Sequence, residues 1–466
     1  MRALPAGIAL RTSIAIVGAG PAGLAVARAV LRRVPRADLA LFDPALSDPL
    51  LKGRGTPYRP DPAEPLLNAP LRYMSVDPDD ADHCARWFVS GSRTRGDVSY
   101  GTLSRPAYGR YLQSFLDDLP GNASSDQRVS LRPVEVIALR AVGRQHELLS
   151  SRCELGRFDA VILCTGWSTV TPATAASGTV HETVRHHLGR TDVVIRGTGL
   201  SAVDHARALL SSAPEARIAM TSRHGLLPGV RPSSAPSDDF FLSMSSSGHH
   251  DLTTVGGLVS RLELEAGQRG IDLGPLGEAL RSTPDPARWL EDGLNEIEGV
   301  SWRDLAVAAS EALLPRAWRT WNSTHRQVFL RRFHTYAQSW CNPMPPSTAQ
   351  LLLEALRTGR LTVRSGATRS RGHLLPTIDA TRSGTDSLAP LDVPLIRCLV
   401  NAGLAAPDPF GGILTTRRHH VTGNSHGASL FAVGALTQGT HYVVNALDAV
   451  VQQAAEVADE IAGLGH

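Results

Sequence analysis

The stretch SIAIVGAGPAGLAVARAVLRRVPRADLALFDP, Ser13 to Pro44, decides the fold. Ile14 to Val17 is a short apolar run without alternation, the pattern of a parallel strand buried on both faces. Gly18, Gly20 and Gly23 follow as G-x-G-x-x-G. The first glycine permits a tight turn, the second admits a pyrophosphate to the backbone, and the third lets a helix pack close to the strand. Pro21 suits the first helical position, where its missing N–H costs nothing, and Ala22 completes the turn. Its free N–H groups and the helix dipole then face a diphosphate. Asp43 ends the next apolar run, LALFD, where a carboxylate can accept hydrogen bonds from ribose hydroxyls. Strand, turn, helix and spaced acid together predict a dinucleotide site.

A second unit begins at DVVIRGTGLSAVDHARALL. Asp192 to Arg196 reads as the strand, Gly197 and Gly199 as the turn with Ala202 in the third position, and Leu200 and Ser201 as the start of the helix. The following strand, RIAMTSRHG, ends in Ser222 and Arg223 where the first unit has Asp43. A guanidinium there favours a 2′-phosphate over a free hydroxyl, so NADPH is expected rather than NADH, unless Arg223 is only a solvated charge. Two such units predict two cofactors, FAD in the first and a nicotinamide in the second. The fold class expected is α/β, with two Rossmann-like domains and a mainly helical insertion.

Between the units, the proline-, glycine- and aspartate-rich stretch after Asp43 reads as loop until about residue 80. Ordered loops of this length usually cover a ligand or a neighbouring surface. Tyr58, Asn68 and Met74 are candidates to line a cofactor there, unless the stretch is a surface meander. Arg105, just ahead of a helical pattern over 104–119, can reach a phosphate or a carboxylate elsewhere in the fold. Residues 130–149 read as short strands of a small sheet. The strand at 158–165 closes in Thr165-Gly166, small residues that let backbone pass a cofactor or simply end a core strand.

Helical periodicity dominates 238–346. Its aromatic residues, Trp302, Trp318, Trp321, Tyr336 and Trp340, either face a substrate or, as is commoner at helical spacing, form core. The tail reads as a strand at 430–433, a turn from Gly434 to Gly439 and Thr440, and a helix to the end. That helix N-terminus can set positive dipole against a flavin carbonyl, which puts His441, Tyr442 and Asn445 near the ring. It can equally be a plain amphipathic helix.

Composition narrows the partners. The 466 residues suggest about three structural units at about 150 residues each. Basic and acidic residues, 47 and 44, are interspersed, so neither nucleic acid nor a membrane surface is an expected partner. Lys52 is the single lysine, which leaves no P-loop or Schiff-base lysine elsewhere. The five cysteines form no close pair, consistent with a cytoplasmic protein and with no redox-active dithiol. No metal site is expected, because the adjacent pairs His186-His187, His249-His250 and His419-His420 point apart on a helix or a strand.

The motifs GAGPAGLAVA, GRGTPY, LLNAP with YMS, RPAYGRYL, CTG, GTGLSAVD, SRHGLLP, SWRDL, FLRRF and GALTQGT occur in this order. Together they resemble the NAD(P)/FAD-binding protein family that belongs with the two-dinucleotide-binding-domain flavoproteins, relatives of flavin-dependent monooxygenases and N-hydroxylases. The resemblance implies an FAD domain built from both ends of the chain, here 1–190 and 376–466. A nicotinamide domain, 191–237 and 347–375, interrupts it and carries a helical insertion at 238–346. YMS brings Ser75 into the cofactor set. The chain departs from the family pattern at Cys341-Asn342-Pro343, and at Thr381, where a Thr-Gly return beside the flavin is replaced by Thr-Arg382.

The resemblance also implies a reaction. NADPH reduces FAD, and reduced FAD with molecular oxygen gives a C4a-(hydro)peroxide that hydroxylates a small molecule, an amine, amino acid or heterocycle. His441 is the candidate proton donor or acceptor, with Asn445 and Tyr58 beside it. The alternatives are an NAD(P)H-dependent flavin oxidoreductase without oxygen transfer, or a degenerate flavin-binding sensor.

Overall fold

The computed structural model describes residues 11–91, 103–166, 179–231, 251–296, 301–366, 376–381, 393–423, 429–444 and 446–463. Its first sheet has the order β12-β7-β1-β2-β3 and its second β10-β9-β8-β11. The first comprises β1 (Thr12–Val17), β2 (Ala37–Phe42), β3 (Arg128–Arg132), β7 (Ala160–Leu163) and β12 (Ser429–Ala432). The second comprises β8 (Asp192–Arg196), β9 (Arg217–Ser222), β10 (Leu361–Ser365) and β11 (Thr377–Asp379). Every pairing within these two sheets is parallel. The run β7-β1-β2-β3 therefore repeats in the second sheet as β11-β8-β9-β10, with helices crossing over between the strands as parallel pairing demands.

The unalternating run of β1 has a direct structural cause. Ile14 and Ile16 enter a core formed with α1 (Pro21–Arg33), α2 (His83–Gly91), α3 (Arg105–Asp118) and the C-terminal helix Leu447–Gly463. Ala15 and Val17 enter a second core with the helix Pro394–Asn401. Strands β4 (Ala138–Val142), β5 (Gln145–Leu149) and β6 (Glu154–Phe158) form an antiparallel sheet that contributes to this second core. The expected small sheet thus loses its first strand, because β3 extends the main sheet beside β2.

The expected helical insertion is present as helices at 255–269, 274–281, 286–295, 302–312, 314–320, 323–332 and 334–340. It builds no core of its own. Trp289, Trp302, Trp318, Trp321 and Trp340 are buried in one cluster with Val193, Ile195 and Met220 of the second sheet. The aromatic residues therefore serve packing.

Two domain limits move. Helix α4 (Val180–Arg185) buries Val184 in the second domain's core and packs on α5 (Leu200–Ser212), so that domain includes residues 179–185 and does not begin at 191. Strand β11 pairs with β8, so the second domain extends past 376, where return to the first was expected. Three residues of strand carry too little pattern to say which sheet accepts them.

Candidate functional site

The first turn is held in a conformation only glycine tolerates. Gly18 has φ +104°, and a Cβ on it would lie 2.4 Å from the Cys164 carbonyl oxygen. A Cβ on Gly23 would lie 1.9 Å from the Gly18 oxygen, so α1 reaches the strand only because none is there. Pro21 opens α1, and Gly20, its N-cap, offers no side-chain acceptor to the free N–H groups. Asp43 is placed by this turn: one carboxylate oxygen accepts the Ala19 N–H at 2.9 Å, the other that of Ala45 at 2.8 Å. A carboxylate has about four acceptor sites, so capacity for ribose hydroxyls remains.

The Thr165-Gly166 return stands beside the turn, with the Thr165 nitrogen 3.3 Å from the Cβ position of Gly18. Among the described residues the buried Thr165 hydroxyl oxygen has no hydrogen-bond partner, so it is free to meet a polar group at the turn. From the other side, a Cβ on Gly434 would sit 3.8 Å from the Ala22 Cβ. An uncapped helix, a cradle that excludes any Cβ and an orphaned hydroxyl together fit a dinucleotide diphosphate at this end of the sheet.

The second turn repeats the first. Gly197 has φ +112° and its Cβ would lie 2.9 Å from the Ala380 oxygen, as Gly18 lies against Cys164. Gly197 donates to the Thr221 carbonyl as Gly18 donates to that of Phe42, at 2.7 and 2.8 Å. Ser222 is therefore the counterpart of Asp43, and Arg223 is exposed immediately beyond it. The Thr198 hydroxyl and the Gly225 N–H both lie 2.9 Å from the Ser222 hydroxyl oxygen as donors. Gly199 is an uncapped N-cap with no atom of the described residues within 4 Å of its Cβ position, followed by half-buried Leu200 and exposed Ser201. This symmetry corrects one expectation: Thr381 follows Ala380 beside the second turn, not beside the first. Arg382 lies outside the described residues.

Several candidate residues have structural partners. Met74 is buried in the first core and its carbonyl accepts the Tyr108 hydroxyl at 2.9 Å. The Ser75 hydroxyl donates to the Asp80 carbonyl at 2.6 Å. Both side chains thus stabilise the loop. Tyr58 is half-buried, its ring edge-on to Tyr108 at 4.8 Å. Burial raises its phenol, partly offset by the Arg105 cation. Asn68 is half-buried on the same loop. Of the two partners open to Arg105, the structure shows the carboxylate: its guanidinium lies 3.0 Å from Asp204 of α5.

At the C-terminal end, Gly439 is confined by packing. Its Cβ position falls 2.0 Å from the Asp408 carboxyl carbon, and its carbonyl accepts from Trp318 Nε1 and from Arg326 at 2.9 and 3.0 Å. The Thr440 hydroxyl lies 3.0 Å from that of Thr415. The final helix starts at Leu447 rather than beside Gly439, so its N-terminus stands several residues from the turn. Asn445 lies outside the described residues.

His441 is poorly suited to proton transfer. Its side chain is buried, and desolvation first, with His419 and Arg319 adding repulsion, drives its pKa from 6.5 down to about 2. A ring locked neutral across the physiological range cannot serve as the expected titrating group.

A contribution that the residue patterns left unassigned is Asp61 to Pro65. Asp61 Oδ2 accepts the Val180 N–H at 2.7 Å, Oδ1 accepts that of His181 at 3.1 Å, and Arg207 of α5 donates to the carbonyls of Ala63 and Glu64 at 2.7 and 2.6 Å. The available signal was Pro60, Pro62 and Pro65, a stiff spacing that polar composition alone does not assign a partner.

Among the described residues, no group of three or more His, Cys, Asp and Glu is placed to hold a metal ion, and no helix is long and apolar enough to cross a membrane. His187 contacts the Thr183 carbonyl, His419 contacts Glu456 and His420 contacts Glu460.

Comparison with known proteins agrees with this geometry. Residues 15–168 match the profile of the FAD-NAD(P)-binding family. No curated protein sequence matches the chain. Among solved structures, ornithine N-hydroxylase of Kutzneria sp. 744 superposes with TM-score 0.54 at 14% identity, covering 98% of this chain and 100% of its own. L-lysine 6-monooxygenase of Pseudomonas syringae superposes with TM-score 0.51 at 13% identity, covering 98% and 100%. The chain shares the fold of these two proteins, and its residues 15–168 match an FAD-NAD(P)-binding domain.

Proposed function

We propose that the protein is an FAD-dependent, NADPH-using monooxygenase that hydroxylates a small molecule, with amines and amino acids the first class to test. The observation that carries the NADPH part of the reading is the place of Ser222 and Arg223, and the superposition on an N-hydroxylase and a monooxygenase supports the rest. In the second unit these two residues replace the carboxylate of Asp43 by a hydroxyl and an exposed guanidinium, the chemistry that holds a 2′-phosphate. Around the first turn, Gly18, Gly20, Gly23, Asp43 and Thr165 would hold FAD. Around the second, Gly197, Gly199 and Ser201 would admit the nicotinamide diphosphate. Bound FAD supplies the two-electron chemistry and the activation of molecular oxygen.

Three of the five thiols speak against disulfide reduction. Burial raises the thiols of Cys84 and Cys164 and pushes that of Cys341 up to about 12. Thiols held protonated in this way make poor nucleophiles. The two superposed hydroxylases act on ornithine and lysine, which supports beginning the substrate screen with amines.

The test is anaerobic reduction of the FAD-loaded protein by NADPH and by NADH, followed by oxygenated buffer with and without candidate amines. Faster reduction by NADPH and a product heavier by one oxygen atom are expected. Reduction by NADPH followed by re-oxidation without any oxygenated product across the screen would favour the simple oxidoreductase. No reduction by either nicotinamide would overturn the reading.

A further inference from the structure

The segment 53–65 touches both dinucleotide units. At its start, a Cβ on Gly55 would lie 3.2 Å from Pro21 Cδ and 3.5 Å from Gly20 Cα, so this backbone lies directly on the first turn. Arg54, buried, ties it to α3 by donating to the Pro106 carbonyl at 3.1 Å and to Gln113 at 2.8 Å. A Cβ on Gly109 of α3 would fall 2.2 Å from the Tyr58 oxygen, so segment and helix are in close contact. At its end, Asp61 accepts the first two amides of α4, while Arg207 grips the carbonyls of Ala63 and Glu64. Arg105, whose N–H donates to the Pro65 carbonyl at 2.7 Å, reaches Asp204 on the same helix as Arg207.

That helix, α5, begins at the second turn, and Arg207 stands about 11 Å along its axis from Leu200 at 1.5 Å per residue. Between its two ends the segment contains Pro57, Pro60 and Pro62, each with φ fixed by its ring. Glu64 takes a left-handed conformation, φ +44°, which a non-glycine residue holds only when its surroundings dictate it. Asp61 is 8% exposed, and its carboxylate also accepts the Ala63 N–H at 2.9 Å.

We propose that the segment 53–65 is a strut that fixes the separation and orientation of the two cofactor turns, with Asp61 as the positioning residue that locks it to the nicotinamide domain. The inference rests on the two-cofactor reading above. Hydride transfer from the nicotinamide carbon to the flavin ring nitrogen would need those two atoms within near-contact distance, and a displacement of about 1 Å can cost about 100-fold. A loose strut leaves each turn able to bind its own dinucleotide but misaligns one with the other.

The test compares wild type with Asp61→Ala, Asp61→Asn and Arg207→Ala, all FAD-loaded. In Asp61→Ala the limiting rate of anaerobic flavin reduction at saturating NADPH should fall about tenfold or more, with the NADPH Kd within about twofold of wild type. Asp61→Asn keeps one acceptor oxygen and should fall between. Hydrogen exchange, read without NADPH, should speed up in peptides covering 180–185 and 200–212, while those covering 12–33 remain unchanged. Wild-type reduction and exchange in Asp61→Ala would overturn the strut, as would a rise in Kd with an unchanged limiting rate. If Asp61→Ala fails to fold, Asp61→Asn and Arg207→Ala decide by the same readouts. Failure of the wild type to accept electrons from NADPH would instead overturn the functional reading, and the exchange measurement would still decide whether the strut exists.

Discussion

The His441 ring lies almost flat on that of His419, centroids 4.5 Å apart and planes 18° from parallel. His419 has a partner, Glu456, at 2.7 Å from Nε2, whereas both ring nitrogens of His441 are buried without one among the described residues. Burial first, and then the stacked His419 and nearby Arg319, therefore favour a neutral His441.

Acid should consequently destabilise the fold through His441. The unfolded chain takes up a proton below about pH 6.5, while the folded ring resists to about 2, so stability is intact above 6.5 and declines as pH falls through that window. At pH 5 the loss from this one group is about 2 kcal/mol. His441→Phe keeps the stack and removes the proton site. Chemical denaturation between pH 5 and 8 should show a shallower acid slope for the variant; equal slopes would refute the assignment.

Gly23 and Gly199 should respond differently to alanine. At Gly23 the new methyl meets the Gly18 oxygen, and the overpacking should cost about 1–3 kcal/mol and deplete bound flavin. At Gly199 no atom of the described residues lies within 4 Å, so Gly199→Ala should melt like wild type and raise only the KM for the nicotinamide. Melting curves with flavin absorbance, followed by steady-state kinetics, check both.

Arg223→Gln should weaken NADPH about tenfold or more, about 1.4 kcal/mol, and leave NADH unchanged. Titration of each nicotinamide, followed by quenching of flavin fluorescence, separates a 2′-phosphate contact from a solvated charge, which would move neither.

Trp318 is fully buried and donates to Gly439 across the junction of the helical insertion and the C-terminal turn. Arg326 still donates to that carbonyl in Trp318→Phe, so the expected loss is the packing and one hydrogen bond, about 2 kcal/mol. A lower urea midpoint at unchanged slope is the expected signature.

Both dinucleotide turns, their strands and helices, and the helical insertion were legible in the chain itself. Glycine at Gly18, Gly23 and Gly197 answers a local backbone demand, and apolar periodicity marks a helix whatever it packs against. The exchange of Asp43 for Ser222 and Arg223 was equally readable, because each stands at the end of a strand that declares itself. Tertiary structure alone decided that β11 completes the second sheet, that Met74 and Ser75 serve the loop, and that the His441 ring is too deeply buried to titrate usefully. It alone showed that Asp61 meets α4. Strand partnership, desolvation and contacts between residues more than a hundred positions apart are set by what the folded chain brings together, and no spacing within a segment encodes them.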